Sequence, residues 1–404
     1  MPEKVVVRHL TKVFGARPQD ALDLLRQGRT KDAIFQQTGM VVGVQDANFT
    51  VDEGEIFVLM GLSGSGKSTL IRLLNRLIEP TSGQVLVGGH DVAALGRQAL
   101  VDLRRRDMAM VFQSFALLPH RNVLDNTAFG LEVAGVARGE RERRAFEVLE
   151  QVGLRSFAHK RPAELSGGMQ QRVGLARALA VNPSLMLMDE AFSALDPLKR
   201  TEMQELLLQL QRDHRRTIVF VSHDLDEAFR IGNRIAIMEG GRIVQIGTPD
   251  EILRNPSDDY VRAFFKGVDV RSYLLARDLA EAEAFPLLHP TLDGRSDLLR
   301  AGAQFHAAAA APLAFVVEVG GRLLGTVTRE SVTQALATGG TSLISALVPG
   351  AGAAPAELPL NALVGRVVQS PLALPVVDAA GNYLGAVTQA GLLQRFARGE
   401  ADHV

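Results

Sequence analysis

Residues 61–69 read GLSGSGKST and follow the apolar run EIFVLM at 55–60. G-x-x-x-x-G-K-[ST] between a strand and a helix makes a phosphate cradle. Gly61, Gly64 and Gly66, with Ser63 and Ser65 between them, let backbone N–H groups close around phosphate oxygens. Lys67 sets a point charge on the β and γ phosphates, and Ser68, followed by Thr69, offers a hydroxyl to Mg²⁺. The helix that follows aims its positive end at the anion. A second set is LMLMDE at 185–190. Four apolar residues predict a buried strand with Asp189 and Glu190 at its carboxyl end, where open α/β sheets bind ligands. Asp189 can hold the Mg²⁺ shell, and Glu190 can orient and polarise an attacking water. His223 ends the strand of FVSHD and Gln113 ends that of MVFQ. His223 fits a contact to a γ-phosphate, and Gln113 fits a contact to Mg²⁺ and the water. A second glycine-rich loop, LSGGMQQR at 165–172, opens onto its own helical run about a hundred residues downstream. One nucleotide needs one cradle, so this loop requires a separate explanation.

These groups need a scaffold. From about 40 to 265, strand-like runs (EIFVLMG, MAMVFQ, LMLMDE, TIVFVSH) alternate with longer helical patterns. Continuous apolar runs of this kind predict a mostly parallel sheet covered on both faces. Residues 115–180 read as a helical subdomain, and 16–40 as a helical hairpin punctuated by Gly28 and Gly39. After 268 the texture changes and a repeat appears: PLAFVVEVGGRLLGTVTRES (312–331) aligns with PLALPVVDAAGNYLGAVTQAG (371–391). Each copy reads strand, turn at Gly321 or Gly381, strand, then a helix start at the threonine. The expected organisation is 1–267, a linker at 268–284, and a pseudo-symmetric α+β pair over 285–404. Arginines in RSDLLR (295–300), GRLLGTVTRE (321–330) and LLQRFARGE (392–400) stand beside element ends. They suit either an anionic lipid or nucleotide phosphate, or a solvated face.

The 404 residues allow two or three domains. A net charge of −1 argues against bulk electrostatic binding of nucleic acid. The absence of cysteine removes disulfides, thiol catalysis and thiolate metal sites, and fits a reducing compartment. MPEKVVVRHL lacks the apolar core of a signal peptide. No run reaches ~18 apolar residues, so a membrane role must come through a partner.

The cradle, MVFQ, LSGGMQQR, LMLMDEAFSALD and VSHD, in this order, resemble the nucleotide-binding subunit of an ABC transporter over about 1–265. The insert, MGLSGSGKSTLIRLLNRLIEPTSGQVLV (60–87), VFQSFALLPHRNVLDNTAFGLEVAG (111–135) and MDEAFSALDPLKRTEMQ (188–204) resemble the ATP-binding subunit of glycine betaine/proline betaine importers. Those subunits carry a C-terminal pair of cystathionine-β-synthase-type (CBS) modules, which the 312/371 repeat resembles. The resemblance implies a P-loop NTPase cassette that hydrolyses ATP with Mg²⁺. It implies that Ser166, Gly167, Gly168 and Gln170 form the signature loop, that Ser193–Asp196 crosses a dimer interface, and that Phe14 stacks on adenine. It also answers the question of two loops: two chains face head to tail, and the signature loop of each caps the ATP held by the other. The implied partners are a second copy, multi-span permease subunits and an extracytoplasmic substrate-binding protein, with no nucleic acid. The implied place is the cytoplasmic face of the inner membrane, where osmoprotective solutes are taken up. Two other readings stay open: an importer ATPase for another small solute such as an amino acid, and a soluble ABC ATPase outside transport. The helical stretch after Gln113, near Phe115, Leu117 and Leu118, is the expected receiver of a permease loop.

Overall fold

The computed structural model describes residues 2–265, 274–291, 294–307 and 312–394. The chain divides into two compact units, Met1–Val268 and Asp269–Val404.

The first unit begins with a long antiparallel pair, β1 (Glu3–Phe14) and β2 (Val41–Asp52), closed by the pair Phe14↔Val41. The expected hairpin hangs from that stem as α1 (Pro18–Arg26) and α2 (Lys31–Thr38). Pro18 sits in the first turn of α1, where its missing N–H costs nothing. Thr30 caps α2, and Gly39 ends it in the left-handed region at φ 69°. Ala21, Leu22 and Ile34 bury against Val13, Met40 and Val42, which fixes the hairpin to its stem.

The chain continues through β3 (Ile56–Met60), α3 (Lys67–Leu74), β4 (Ser82–Val87), β5 (His90–Asp91), α4 (Arg97–Arg106) and β6 (Met108–Phe112). The helical subdomain follows, with α5 (Val123–Val133), α6 (Arg138–Gln151) and α7 (Gly167–Ala180). Then come β7 (Leu185–Asp189), α8 (Pro197–His214), β8 (Thr217–Val221), α9 (Leu225–Ile231), β9 (Arg234–Glu239), β10 (Arg242–Gly247), α10 (Pro249–Arg254) and α11 (Asp259–Phe264). Six strands form one sheet in the order β10-β9-β3-β8-β7-β6, parallel except for β10. A second, antiparallel sheet has the order β2-β1-β4-β5.

The parallel strands are apolar throughout because both faces are covered. Ile56, Val58 and Met60 of β3 enter the core shared with α5, α7, α8 and α9. Phe57 and Leu59 enter the core shared with α3 and the antiparallel sheet. That antiparallel sheet has no clear period-two signature in the sequence. Its strands are bulged and alternate irregularly, and the insert separates the two long ones.

The second unit holds α12 (Ala276–Leu279), β11 (Leu287–Leu288), α13 (Gly294–Ala307), β12 (Leu313–Val317), β13 (Leu323–Thr328), α14 (Arg329–Ala337), β14 (Ala354–Pro355), α15 (Leu360–Gln369), β15 (Leu374–Val377) and β16 (Tyr383–Val387). Two three-stranded sheets, β11-β12-β13 and β14-β15-β16, share one pattern: a parallel pair followed by an antiparallel one. Their hairpin turns exchange hydrogen bonds. Leu323 N donates to Gly381 O at 3.0 Å, and Tyr383 N donates to Gly321 O at 2.9 Å. Residues 268–273 of the expected linker lie outside the described residues, as do Arg395 and Arg398. The rest of that linker is not a tether. Ala276 and Leu279 are buried in the core of the β14-β15-β16 module, and Glu281 bridges to Ala386. Arg329 donates to Phe305 O at 2.8 Å, so its guanidinium serves the fold of its own module.

Candidate active site

Strand register decides what can meet. Phe112, Asp189, Val221 and Leu59 are successive partners across β6, β7, β8 and β3. Residues one or two positions beyond each therefore emerge at one edge: Gln113, Glu190, His223 and Gly61. This is the carboxyl end of a parallel sheet, where the fold leaves a crevice.

The cradle is shaped for backbone contact. Gly66 caps α3 at φ 104°, and a Cβ there would lie 2.3 Å from Gly43 O. No other residue fits that position. Lys67 is only 5% exposed, and its Nζ donates to Gly61 O at 2.7 Å and Leu62 O at 3.0 Å. Burial pushes its ammonium pKa down, and the carboxylates of Glu190 and Asp189 pull it back up. A buried cation with those partners is poised for an anion that brings more charge. The Ser65 hydroxyl is buried without a partner. Ser63 and Gly64 are exposed, and Ser68 and Thr69 are half-buried at the helix start.

Asp189 sits 4% exposed at the end of β7. Its Oδ2 accepts from Arg72 Nη2 at 3.0 Å, while Oδ1 is buried with no hydrogen-bond partner. A buried carboxylate oxygen without a donor fits a hard cation. Among the described residues no group of three His, Cys, Asp or Glu could enclose a metal. The donor set of Asp189, Ser68 and Gln113 instead suits Mg²⁺, which binds through one or two protein oxygens and substrate phosphates.

Glu190 stands next to Asp189 with φ 48°, a left-handed conformation that costs a non-glycine residue about 1–3 kcal/mol. Its carboxylate Oε2 lies 3.4 Å from His223 Nδ1. Ser193 donates its hydroxyl to Glu190 O at 2.9 Å, tying the start of the 193–196 segment to the same residue. Asp196 closes that segment by capping α8, accepting from Lys199 N at 3.1 Å. Gln113 is exposed at the end of β6.

The second glycine loop is built differently. Ser166 caps α7, accepting from Met169 N at 3.4 Å, and Ser166 and Gly167 are exposed. Gly167 faces the Phe115 ring, and Gly168 faces the Lys199 stem. Gln170 donates through Nε2 to Pro162 O at 3.1 Å and Leu165 O at 3.2 Å. Both of its N–H donors are thereby committed to backbone, so Gln170 braces the loop rather than offering a donor to a nucleotide.

The Phe14 ring lies beside the cradle helix, across Gly43. A Cβ on Gly43 would lie 2.8 Å from the Phe14 ring and 3.5 Å from Thr69 Cγ2, so ring and cradle helix flank Gly43. The ring is 40% exposed, and Lys12 Nζ is 5.0 Å from its centroid.

Three functional contacts were not read in the sequence. Arg72 holds Asp189. Arg177, from α7, donates to Ala116 O at 2.7 Å and Phe115 O at 3.3 Å. Asn126, wholly buried on α5, accepts from Leu118 N and donates to Leu118 O, Arg121 O and Asn122 O. Arg177 and Asn126 therefore latch the loop after Gln113 onto the helical subdomain. The spacing of Arg72, one α-helical turn and a residue beyond Lys67, was the only signal available. Phe115, Leu117 and Leu118 are half-buried, and Leu117 packs against the core. A separate groove of about 340 Å³ is lined by Val101, Arg104, Met110, Phe129 and Val133, of which Val133 is exposed.

Sequence comparison bears directly on this geometry. A family described as ABC transporter matches residues 44–193. The glycine betaine/proline betaine transport system ATP-binding protein ProV of Salmonella typhimurium is 51% identical over 98% of this chain and 98% of its own. The chain belongs to the ABC transporter family, among ATP-binding subunits of this type. The glycine betaine/carnitine transport ATP-binding protein GbuA of Listeria monocytogenes is 43% identical over 99% of both chains. The dimeric structure of MJ0796, a bacterial ABC transporter cassette, superposes with TM-score 0.52 at 31% identity, covering 60% of this chain and 98% of that one. The ABC subunit is accordingly an ATPase that uses ATP and Mg²⁺. Among its described residues no helix is long and apolar enough to cross a membrane.

Proposed function

We propose that this ABC subunit hydrolyses ATP to drive uptake of glycine betaine, proline betaine and related compatible solutes during osmotic stress. The observation that carries the reading is the 51% identity to ProV across 98% of both chains, tail included. A cassette alone would leave the solute open. The alternative readings are an amino-acid importer ATPase and a soluble ABC ATPase.

Lys67 and the loop Gly61–Gly66 hold the β and γ phosphates, and Phe14 stacks on adenine. Ser68, Gln113 and Asp189 would hold Mg²⁺, which would neutralise phosphate charge when bound. Glu190 orients a water and takes up its proton as the water oxygen attacks the γ-phosphorus, and ADP leaves with the bridging oxygen. His223, 3.4 Å from Glu190, contacts the γ-phosphate and keeps the carboxylate aimed. Ser166, Gly167 and Gly168 cap the ATP of a second copy, and Ser193–Asp196 crosses between copies. Closing on ATP and opening after hydrolysis gives permease subunits two states to follow.

The groove at Val101, Phe129 and Val133 receives a cytoplasmic loop of the permease, because it offers exposed Val133 and part-buried apolar side chains beside Arg104 and Arg177. A substrate-binding protein delivers solute from outside, and the subunit works peripherally at the cytoplasmic face of the inner membrane. Residues 1–267 are the cassette, and 285–404 are a tandem CBS-like regulatory pair. The test is uptake of labelled glycine betaine by the reconstituted complex in proteoliposomes, with amino acids as competitors. Uptake of an amino acid but not of betaine would overturn the solute assignment.

A further inference from the structure

Behind His223 lies a buried polar network that the reaction does not use directly. Ser222, 2% exposed, donates its hydroxyl to Glu227 Oε2 at 2.5 Å and accepts from Asp224 N at 3.0 Å. Glu227, 4% exposed on α9, accepts at Oε1 from Gln204 Nε2 of α8 at 3.3 Å. Burial pushes the Glu227 carboxyl above the usual range, against the hydrogen bonds from Ser222 and Gln204. Asp224 Oδ1 caps α9 by accepting from Glu227 N at 3.1 Å, and Oδ2 takes Arg200 Nη1 at 2.5 Å. Arg200 lies in the first turns of α8, and its Nη2 also reaches Leu195 O at 3.4 Å. Asp224 is therefore bound directly to α8, the helix capped by Asp196, and Ser222 reaches the same helix through Glu227.

Stability alone does not account for this arrangement. Met203 and Leu207 of α8 and Ala228 and Ile231 of α9 already share one apolar core. Burying the Glu227 carboxylate between two such helices gains little over apolar packing, and the Arg200–Asp224 pair beside it is only part-buried. What a hydrogen-bonded polar network adds is a single relative placement of the groups it joins.

We infer that Arg200, Asp224 and Glu227 are positioning residues that fix His223 relative to the 193–196 segment, so that a shift of that segment on docking of a second cassette is carried to His223 of the same chain. The inference rests on the reading of His223 as the γ-phosphate contact. Arg200 touches the segment at Leu195 and the histidine loop at Asp224. Gln204, one turn further along α8, touches Glu227, which holds Ser222. Two links, one through each chain neighbour of His223, hold its stretch of backbone against α8.

The test is a double-mutant cycle on the full-length subunit, read as single-turnover ATP hydrolysis so that slow rates stay measurable. Asp224→Asn should lower the hydrolysis rate roughly 10–100-fold, the scale of a misplaced reacting group, with the KM for ATP unchanged. Arg200→Met should do the same. In a His223→Ala background neither substitution should lower the rate further, because a positioning residue has nothing left to position. ATP-driven dimerisation, followed by sedimentation in a Glu190→Gln background, should survive Asp224→Asn. Glu227→Gln, which keeps the shape, guards against misfolding. It should keep the parent melting temperature and show the same non-additivity with His223→Ala. A full loss repeated in the His223→Ala background, or a loss that tracks melting temperature, overturns the inference and leaves the role of His223 standing. Unchanged hydrolysis by His223→Ala alone overturns that role, and the inference with it.

Discussion

At 61–66 the glycine loop closes around a lysine that is 5% exposed and bonded to the loop's own carbonyls, whereas at 166–168 the loop is exposed and offers a helix start capped by one serine. The first carries a cation and a buried hydroxyl without a partner. The second carries no cation, and the nearest one, Lys199, pairs with Glu202 at 2.8 Å. Similar glycine content thus serves two tasks. A loop with its own charge can hold a polyanion by itself. A loop with only backbone N–H groups and a helix dipole, worth about 0.3–1 kcal/mol near the terminus, can only finish a site that another loop has begun.

The comparison can be broken most decisively at Glu190. Glu190→Gln keeps the shape but loses the proton acceptor, so hydrolysis should fall by roughly 10²–10⁴-fold while ATP binding persists. Both loops should then stay on one nucleotide, giving an ATP-stabilised dimer visible by sedimentation. Near-normal turnover would remove Glu190 from its role. Ser166→Arg separates the loops. ATP binding to the monomer, measured by titration calorimetry, should be unaffected, because Lys67 and its loop are untouched. ATP-dependent dimerisation should disappear under the added bulk and charge. A collapse of monomer affinity would mean that the second loop serves its own chain.

Smaller effects sharpen the contrast. Arg177→Ala removes the donor to the part-buried carbonyl of Phe115 and the exposed carbonyl of Ala116, a cost of about 0.5–1.5 kcal/mol. Thermal melting should record it, and assembly with the permease should weaken because the groove beside Arg177 loosens. Ser166→Ala removes only a long capping bond and should cost about 0.5 kcal/mol, at the low end for a lost cap. Truncation after residue 268 removes a unit with separate cores, so basal hydrolysis should stay within about twofold. The salt dependence of uptake in proteoliposomes should change. Identical salt profiles at equal assembly would make the tail structural only.

The strand ends were legible because parallel strands buried on both faces have no polar residues until they stop. Asp189, His223 and Gln113 announce the edge of the sheet by where the apolar runs break. The helical hairpin was legible from Gly28 and Gly39, and the tail from its repeat. Illegible were the contacts made by residues distant in sequence. Nothing near Arg177 signals that it will meet Phe115 some sixty positions earlier, and nothing near Arg200 points to Asp224. The antiparallel sheet was hidden by bulges that break the period-two pattern. The expected linker failed for a related reason. ARDL at 276–279 looks like a polar tether, yet only its alanine and leucine enter a core.

The exchange of backbone hydrogen bonds between the turns at Gly321 and Gly381 relates the two halves of the tail by a pseudo-twofold operation. An arrangement in which each half offers the other the same turn is what two identical chains would form about a twofold axis. In one chain the halves need not share one sequence, provided the paired turns keep their register. Positions 321–323 and 381–383 should accordingly be the slowest to diverge, and the outer helices of the two halves the fastest.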